Sequence, residues 1–475
     1  MSRSYVRLMA LAIAVAAISV LPSTASAASW RVIGEHDQEN FATSAAVRGP
    51  DGTLHVVYAD DVVSGDNGLR YRTISTAGVI SAPSTVIANW VNVTNPDIEL
   101  VAGVPTVYWG GQGSTDVSNP TSSGQAWSAT LTAGVWSAPT AFTTNGTAYA
   151  STSFSTAIDN AGAPWGTWTS TSILYTHAGA TAAGTETNLG TDCCDYATNL
   201  GRDQVTGALM LNFYSNATGR VGYWTRQVAP TLGAATRLVG GVTSSGDALS
   251  ANTRLAAAER TTGGVYSAFC DTYPICTGIR VAAGTSAGLR YRLTESMVPT
   301  IADGIWTAPA PDGRMWLMWS NRSRTYIARS NKALTKWGTL QAIANPPRTD
   351  TNWRVTGEGS RGPLDLFANA STTAGAGTQT REWMIRVLPA LTLTPSSARL
   401  INNRARVVTF RLTDAGDRVM GAQVRFRGVV RTTNALGYVR FGIPAGTRVG
   451  RYYATGYATG YNGAIGTVLL LAPRR

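Results

Sequence analysis

Apolar and polar residues alternate with a period of two along most of this chain, in short runs broken by glycine turns. Ser44 to Tyr58, SAAVRGPDGTLHVVY, shows the unit. Leu54, Val56 and Tyr58 alternate with Thr53, His55 and Val57, the pattern of a strand. Asp51-Gly52 is a tight-turn signal, because glycine supplies the positive φ that such turns need. Copies follow around Gly103, Gly162, Gly207, Gly263, Gly313 and Gly362, at intervals of 45 to 59 residues. No long segment of period 3.6 occurs outside the N-terminus.

A repeat of this length holding only strand patterns predicts an all-β fold, a β-propeller. Each copy continues into two more strand-like runs, Leu69 to Ile74 and Val79 to Ile87 after the first, Thr325 to Ser330 and Trp337 to Ile343 after the sixth. Four strands make one blade. The count is a seven-bladed β-propeller, with six blades as the alternative count and two packed β-sandwiches as the competing architecture. The seventh unit shows three strands, ending with Arg381 to Leu388. Trp30 to Glu35 is expected to supply its fourth and remove an open edge.

Beyond Pro389 to Pro395 the pattern changes. Val407 to Leu412, Ala422 to Val430, Tyr438 to Ile443, Gly450 to Ala458 and Gly466 to Ala472 read as short strands of a β-sandwich. Val424 and Phe426 alternate with Arg425 and Arg427, so core and arginine take opposite faces. Net charge sharpens this boundary. The chain carries +12, and from Leu391 onward there are thirteen Arg and no Lys against only Asp414 and Asp417. That segment carries about the whole charge of the protein, and residues 28–390 are near neutral. Such a field favours anionic partners. Arginine excess over Lys332 and Lys336 also fits a simple codon bias.

The first 27 residues read as targeting rather than fold. Arg3 and Arg7 precede the apolar run Leu8 to Leu21, and Ala25-Ser26-Ala27 is a small-residue cleavage site, the pattern of a secretory signal peptide. No other run reaches the ~18 apolar residues of a membrane helix. The expected organisation is a signal peptide over 1–27, a propeller over 28–390 and a basic sandwich over 391–475, secreted and extracellular, with no transmembrane segment.

In a propeller the loops at one end of the strands usually meet ligands. The repeat nominates Asp61, Asp97, Trp109, Tyr196, Asp271, Tyr273, Arg322 and Trp353 there. Carboxylates, an arginine and aromatic platforms suit a sugar. Asp in loops is also explained by its turn preference alone. Four cysteines, Cys193, Cys194, Cys270 and Cys276, imply disulfides in an exported chain. Cys270 to Cys276 closing one loop and Cys193-Cys194 forming a vicinal pair is one pairing; cross-links between the two sites are the others. Gly284 to Gly288 fits G-x-S-x-G, but a strand follows where a nucleophile elbow needs a helix. His36, His55 and His177 form no metal-ligand spacing, and no cofactor or metal is expected.

Ser330 to Trp337, SNKALTKW, has the Ser and Trp spacing of the Asp box, S-x-D-x-G-x-T-W, at the turn between third and fourth strands of a blade. With the recurring runs GVISAP (Gly78 to Pro83) and GVWSAP (Gly134 to Pro139), it resembles the sialidase-like (BNR-repeat) propellers. Lys332 stands where the box has Asp and Leu334 where it has Gly. The resemblance implies the propeller fold; the sialidase arginine triad, Tyr-Glu pair and Asp acid/base have no residue-by-residue match. The final segment resembles bacterial Ig-like and carboxypeptidase-regulatory-like modules, which implies a spacer or adhesive unit.

These readings point to a monomeric extracellular binding protein that recognises a glycan or an anionic surface polymer, with no specific nucleic-acid partner. The alternatives are a sialidase-like glycoside hydrolase or lyase, which needs two facing carboxylates, and a protein–protein scaffold.

Overall fold

A computed structural model describes residues 29–36, 44–60, 67–90, 92–112, 125–143, 154–170, 173–190, 198–215, 217, 219–238, 255–271, 276, 278–283, 289–293, 304–320, 324–346, 351–372 and 379–473. Among these the protein is all-β. Seven antiparallel sheets precede Leu391, each of four strands except one of five, and two further sheets follow it. The innermost strands of the first seven are Ala45–Arg48, Asn92–Val101, Ser155–Ile158, Thr198–Arg202, Leu255–Glu259, Gly304–Pro309 and Thr351–Glu358. Each contacts the next, and the last contacts the first. A closed ring of small sheets joined by such contacts is the arrangement of a β-propeller.

The ring closes through its N-terminal strand. Arg31–His36 pairs antiparallel with Gln379–Val387, so the last sheet holds the first strand of the described chain. The pairing expected for Trp30 to Glu35 is thus present, one residue along. It covers an edge that would otherwise present unpaired N–H and C=O groups.

The core is divided among the seams between sheets. Val57, Leu69 and Trp90 of the first sheet pack on Ile98, Val107 and Trp109 of the second. Tyr108, Phe142 and Trp168 fill the next seam, and Ile33, Leu54, Phe367 and Met384 fill the closing one. Several second strands of the sheets are buried on both faces, which explains why they read apolar at consecutive positions rather than alternating; Leu209–Ser215 and Met315–Ser320 are buried throughout.

Beyond the ring, two sheets share one core of Leu393, Val408, Phe410, Val424, Phe426, Phe441 and Val468. Here alternation is strict: Tyr438–Ile443 runs exposed, buried, exposed to its end. The run Ala422 to Val430, expected as one strand, is instead a hairpin, Gln423–Phe426 and Val429–Thr432. Arg427 and Gly428 take φ of 51° and 80°, the two consecutive positive values of a two-residue hairpin turn.

This domain docks against the sixth sheet of the ring. Arg314 donates from Nη2 to Asp417 Oδ2 at 2.7 Å and lies with Nε 3.2 Å from Asp414 Oδ2; Arg329 Nη2 reaches the same Asp414 oxygen at 2.5 Å. Asn462 donates to Gln341 Oε1 at 2.7 Å and to the Leu388 carbonyl at 3.0 Å. Arg314 and Lys332 flank the turns at the Gly313 end of the sheet. The domain therefore sits at the glycine-turn end of the strands, away from the ends that carry the nominated loops.

Candidate functional site

The nominated residues separate in the structure. Asp61, Tyr196, Tyr273, Arg322, Cys193 and Cys194 lie outside the described residues, as do the signal segment and Gly284 to Gly288. Trp353 lies in the strand Thr351–Glu358. Trp109 is a core side chain, fully buried, with its ring 5.4 Å from that of Trp90 at 75°. The expectation of an exposed platform there is corrected by the length of its strand, which continues to Gln112 and leaves Trp109 inside the sheet.

Asp97 is likewise mid-strand rather than in a loop, because its strand begins at Asn92. Its Oδ2 accepts from the Thr156 amide at 2.8 Å and the Thr156 hydroxyl at 2.9 Å. It staples the second inner strand to the third, and burial raises its carboxyl above the usual range against those hydrogen bonds. Asp271 has a buried carboxyl with Arg280 Nε 4.0 Å away. It follows Cys270, which is bonded to Cys276, the expected short loop closure.

The Asp-box-like turn folds as a tight hairpin by a different route. Asn331, one residue before the box Asp position, accepts from the amides of Thr335 at 2.8 Å and Lys336 at 3.1 Å. Ser330 and Trp337 pair across it. Leu334, at the box Gly position, does adopt the left-handed conformation, φ 55°. His55 and His177 are packed: Nδ1 of His55 meets the Tyr71 hydroxyl at 2.5 Å, and Nε2 of His177 meets the Thr181 carbonyl at 3.0 Å.

A set of charges unremarked in the sequence lies at the turn end of the inner strands. Arg48, Ile158, Arg202, Glu259, Pro309 and Glu358 each end their strand, and Glu99 stands at the matching place four residues before its turn glycine. Arg48 bonds Glu358, and its Nη2 reaches Asp365 at 2.6 Å. Glu259 accepts from the Arg202 amide at 2.7 Å and bonds Gln204. Glu99 is held well above the ordinary carboxylate range, first by burial and then by the charges of Asp97 and Glu259, with Arg202 opposing. Burial also raises Glu259, its hydrogen bonds opposing. Counting four residues back from the turn glycines reaches Arg48, Glu99, Glu259 and Glu358, and Arg202 lies five residues before Gly207.

A second arrangement concerns the basic domain. Asp414 and Asp417 are its only carboxyl side chains, and both face the ring. Ten of its eleven described arginines are exposed, Arg406 being half-buried. Arg411 and Arg427 lie over the rings of Tyr438 and Tyr452, with guanidinium carbons 5.7 and 5.6 Å from the centroids. No ion pair within the domain offsets these cations among the described residues. Beside the docking contact lies an open cavity of about 710 Å³, whose walls include Lys332, Arg418, Met420 and Tyr461.

No protein-family model matches the chain, and no curated protein matches it. Solved structures that align include Hadza microbial sialidase Hz136, at 12% identity and a TM-score of 0.38, over 74% of this chain and 65% of that one, less than two thirds of its length. NanB with Optactamide aligns at 10% identity and a TM-score of 0.39, over 76% of this chain and 70% of that one. The PQQ domain of pyranose dehydrogenase from Coprinopsis cinerea aligns at 9% and 0.35, over 76% of this chain and 98% of that one.

Proposed function

We propose that this is an exported, non-catalytic binding protein: a seven-bladed propeller that presents a glycan or surface-polymer site at its loop end, followed by an Ig-like basic sandwich that holds it against an anionic envelope. The observation that carries the reading is the placement of Asp414 and Asp417. Both carboxylates of the domain are used against Arg314 and Arg329, so its outer surface is cationic without local neutralisation. Such a surface draws polyanions, and salt weakens the attraction. The loop-end candidates Asp61, Tyr196, Tyr273, Arg322 and Trp353 remain the glycan contacts in this reading. A glycan array of acidic and neutral sugars probed with the full chain tests it. Selective, salt-sensitive retention on acidic glycans is expected; uniform absence of binding overturns it.

A second reading, a glycosidase, rests on Glu99. Burial raises the Glu99 carboxyl further than that of Glu259, which hydrogen bonds oppose, and two carboxyls whose environments push their titration apart are the electrostatic pattern of an acid/base pair. Hydrolysis of any bound glycan that Glu99→Gln abolishes would establish it, and an inert full chain would remove it.

A further inference from the structure

The five-stranded sheet of the basic domain has strand order Arg399–Ile401, Ala464–Leu471, Gly450–Tyr457, Gln423–Phe426, Val429–Thr432. Its inner face is the core. On its outer face, Arg451, Tyr453, Thr455 and Tyr457 follow one another along the central strand at alternate positions. Tyr453 and Tyr457 are 58% and 42% exposed. Arg425 is paired across from Thr455, and Gln423 from Tyr457. Arg425 therefore stands diagonally between the two tyrosines, about 7–8 Å from each backbone position. Arg425 and Arg451 make no hydrogen bond or ion pair among the described residues. On the other side of the strand, Thr467 is paired with Tyr453 and Ile465 with Thr455.

We infer that this face is a binding platform for an acidic polysaccharide. The inference rests on the binding reading above and specifies where and how the basic domain binds. Two open tyrosine rings in line, about 13 Å apart along the strand, can each take the apolar face of a pyranose. Arg425 and Arg451 beside them can each take a carboxylate through a planar fork of donors. Charge selects an acidic polymer, since the domain offers no acid outside its docking contact. The polar neighbours Gln423, Thr455 and Thr467 interleave with the aromatic and aliphatic side chains. That favours a hydrogen-bonding glycan over a lipid surface, which would call for a contiguous apolar patch.

The test is calorimetric titration of the full chain with polygalacturonate and with dextran of equal length. The variants are Tyr453→Ala/Tyr457→Ala and Arg425→Gln/Arg451→Gln. Both tyrosines are exposed, so the first pair should leave the unfolding temperature within a few degrees of wild type, which the same samples show. The expected result is selective binding of polygalacturonate, at least tenfold weaker in the tyrosine variant although its charge is unchanged, and less salt-dependent in the arginine variant. Wild-type affinity in the tyrosine variant overturns the platform while leaving the binding function standing. Tighter binding to phosphatidylglycerol vesicles or duplex DNA than to polygalacturonate overturns the polysaccharide assignment. Loss of every polyanion interaction in the wild type removes both readings.

Discussion

Arg314 of the ring and Asp417 of the basic domain hold a 2.7 Å ion pair, behind which Asp414 takes both Arg314 and Arg329. Asp414 is 1% exposed. Removing one member of a buried charge set leaves the others desolvated and uncompensated, at a cost of about 3–5 kcal/mol. Asp414→Asn should therefore destabilise the domain contact by roughly that amount. Urea unfolding followed by tryptophan fluorescence checks it: all fourteen Trp lie before Leu391, so an unchanged midpoint and slope would show the contact to be energetically idle.

Glu382 gives a pH dependence. Its carboxyl is 1% exposed, between Ser44, whose hydroxyl donates to Oε1 at 2.7 Å, and Asn369. Burial, opposed by those hydrogen bonds, pushes its pKa up to about 8. The unfolded carboxyl titrates near 4.3. The folded state binds the extra proton between these values, so stability contributed by this group falls as pH rises through that window and levels off above about 8. Glu382→Gln should flatten the dependence, gaining stability over wild type as pH rises from 5 to 8. Parallel stability curves for the two proteins would refute the assignment.

Leu334 opposes two effects. Its φ of 55° strains a non-glycine residue, about 1 kcal/mol. Its side chain is 2% exposed in the cluster with Trp319 and Met315, and burying a leucine contributes roughly 2–3 kcal/mol. Burial wins, so Leu334→Gly should destabilise the protein by about 1–2 kcal/mol despite matching the box consensus. A rise in thermal midpoint would reverse this ranking.

The Cys270–Cys276 bond spans six residues of sequence separation. Closing so short a loop restricts the unfolded chain by about 2 kcal/mol in the chain-entropy treatment. Cys270→Ser/Cys276→Ser should lower stability by about that much, read in the same denaturant titration. An unaffected midpoint would mean that neighbouring strands already fix the loop.

Ile33 is 1% exposed at the closing seam. Ile33→Ala removes buried methyl groups and should cost about 2–4 kcal/mol. An effect under about 0.5 kcal/mol would show that the N-terminal strand adds little to the ring.

Much of the fold could be read from alternation and turn glycines. Alternation alone bounds the strand Tyr438–Ile443, and it places the closing strand within one residue of Arg31–His36. What failed was length and local side-chain chemistry. Val79 to Ile87 reads as one strand, yet the Ser81 hydroxyl accepts from the Thr73 amide at 2.9 Å and the strand starts only at Ser84. Asp97 and Trp109 read as strand ends because a period-two pattern does not say where a strand stops, and their strands run on to Asn92 and Gln112. Arg427-Gly428 reads as strand interior because glycine, asparagine and aspartate, rather than arginine, are the residues that signal the positive φ of such a turn. The charges at Glu99 and Glu259 are legible only by comparing copies four residues before the turn glycine, and Arg202 escapes even that comparison because it lies one residue earlier in its copy.

The pairing of Arg31–His36 with Gln379–Val387 also fixes an order of events. During synthesis this first described strand must wait for one made some 350 residues later. Every other hairpin of the ring can form as it emerges, while this seam carries the full entropy of closing the longest loop in the molecule. Until then Ile33, Leu54 and Met384 have no common core. The ring is closed only once its two ends have met, and a chain stopped short of Gln379 leaves Arg31–His36 without the partner it has here.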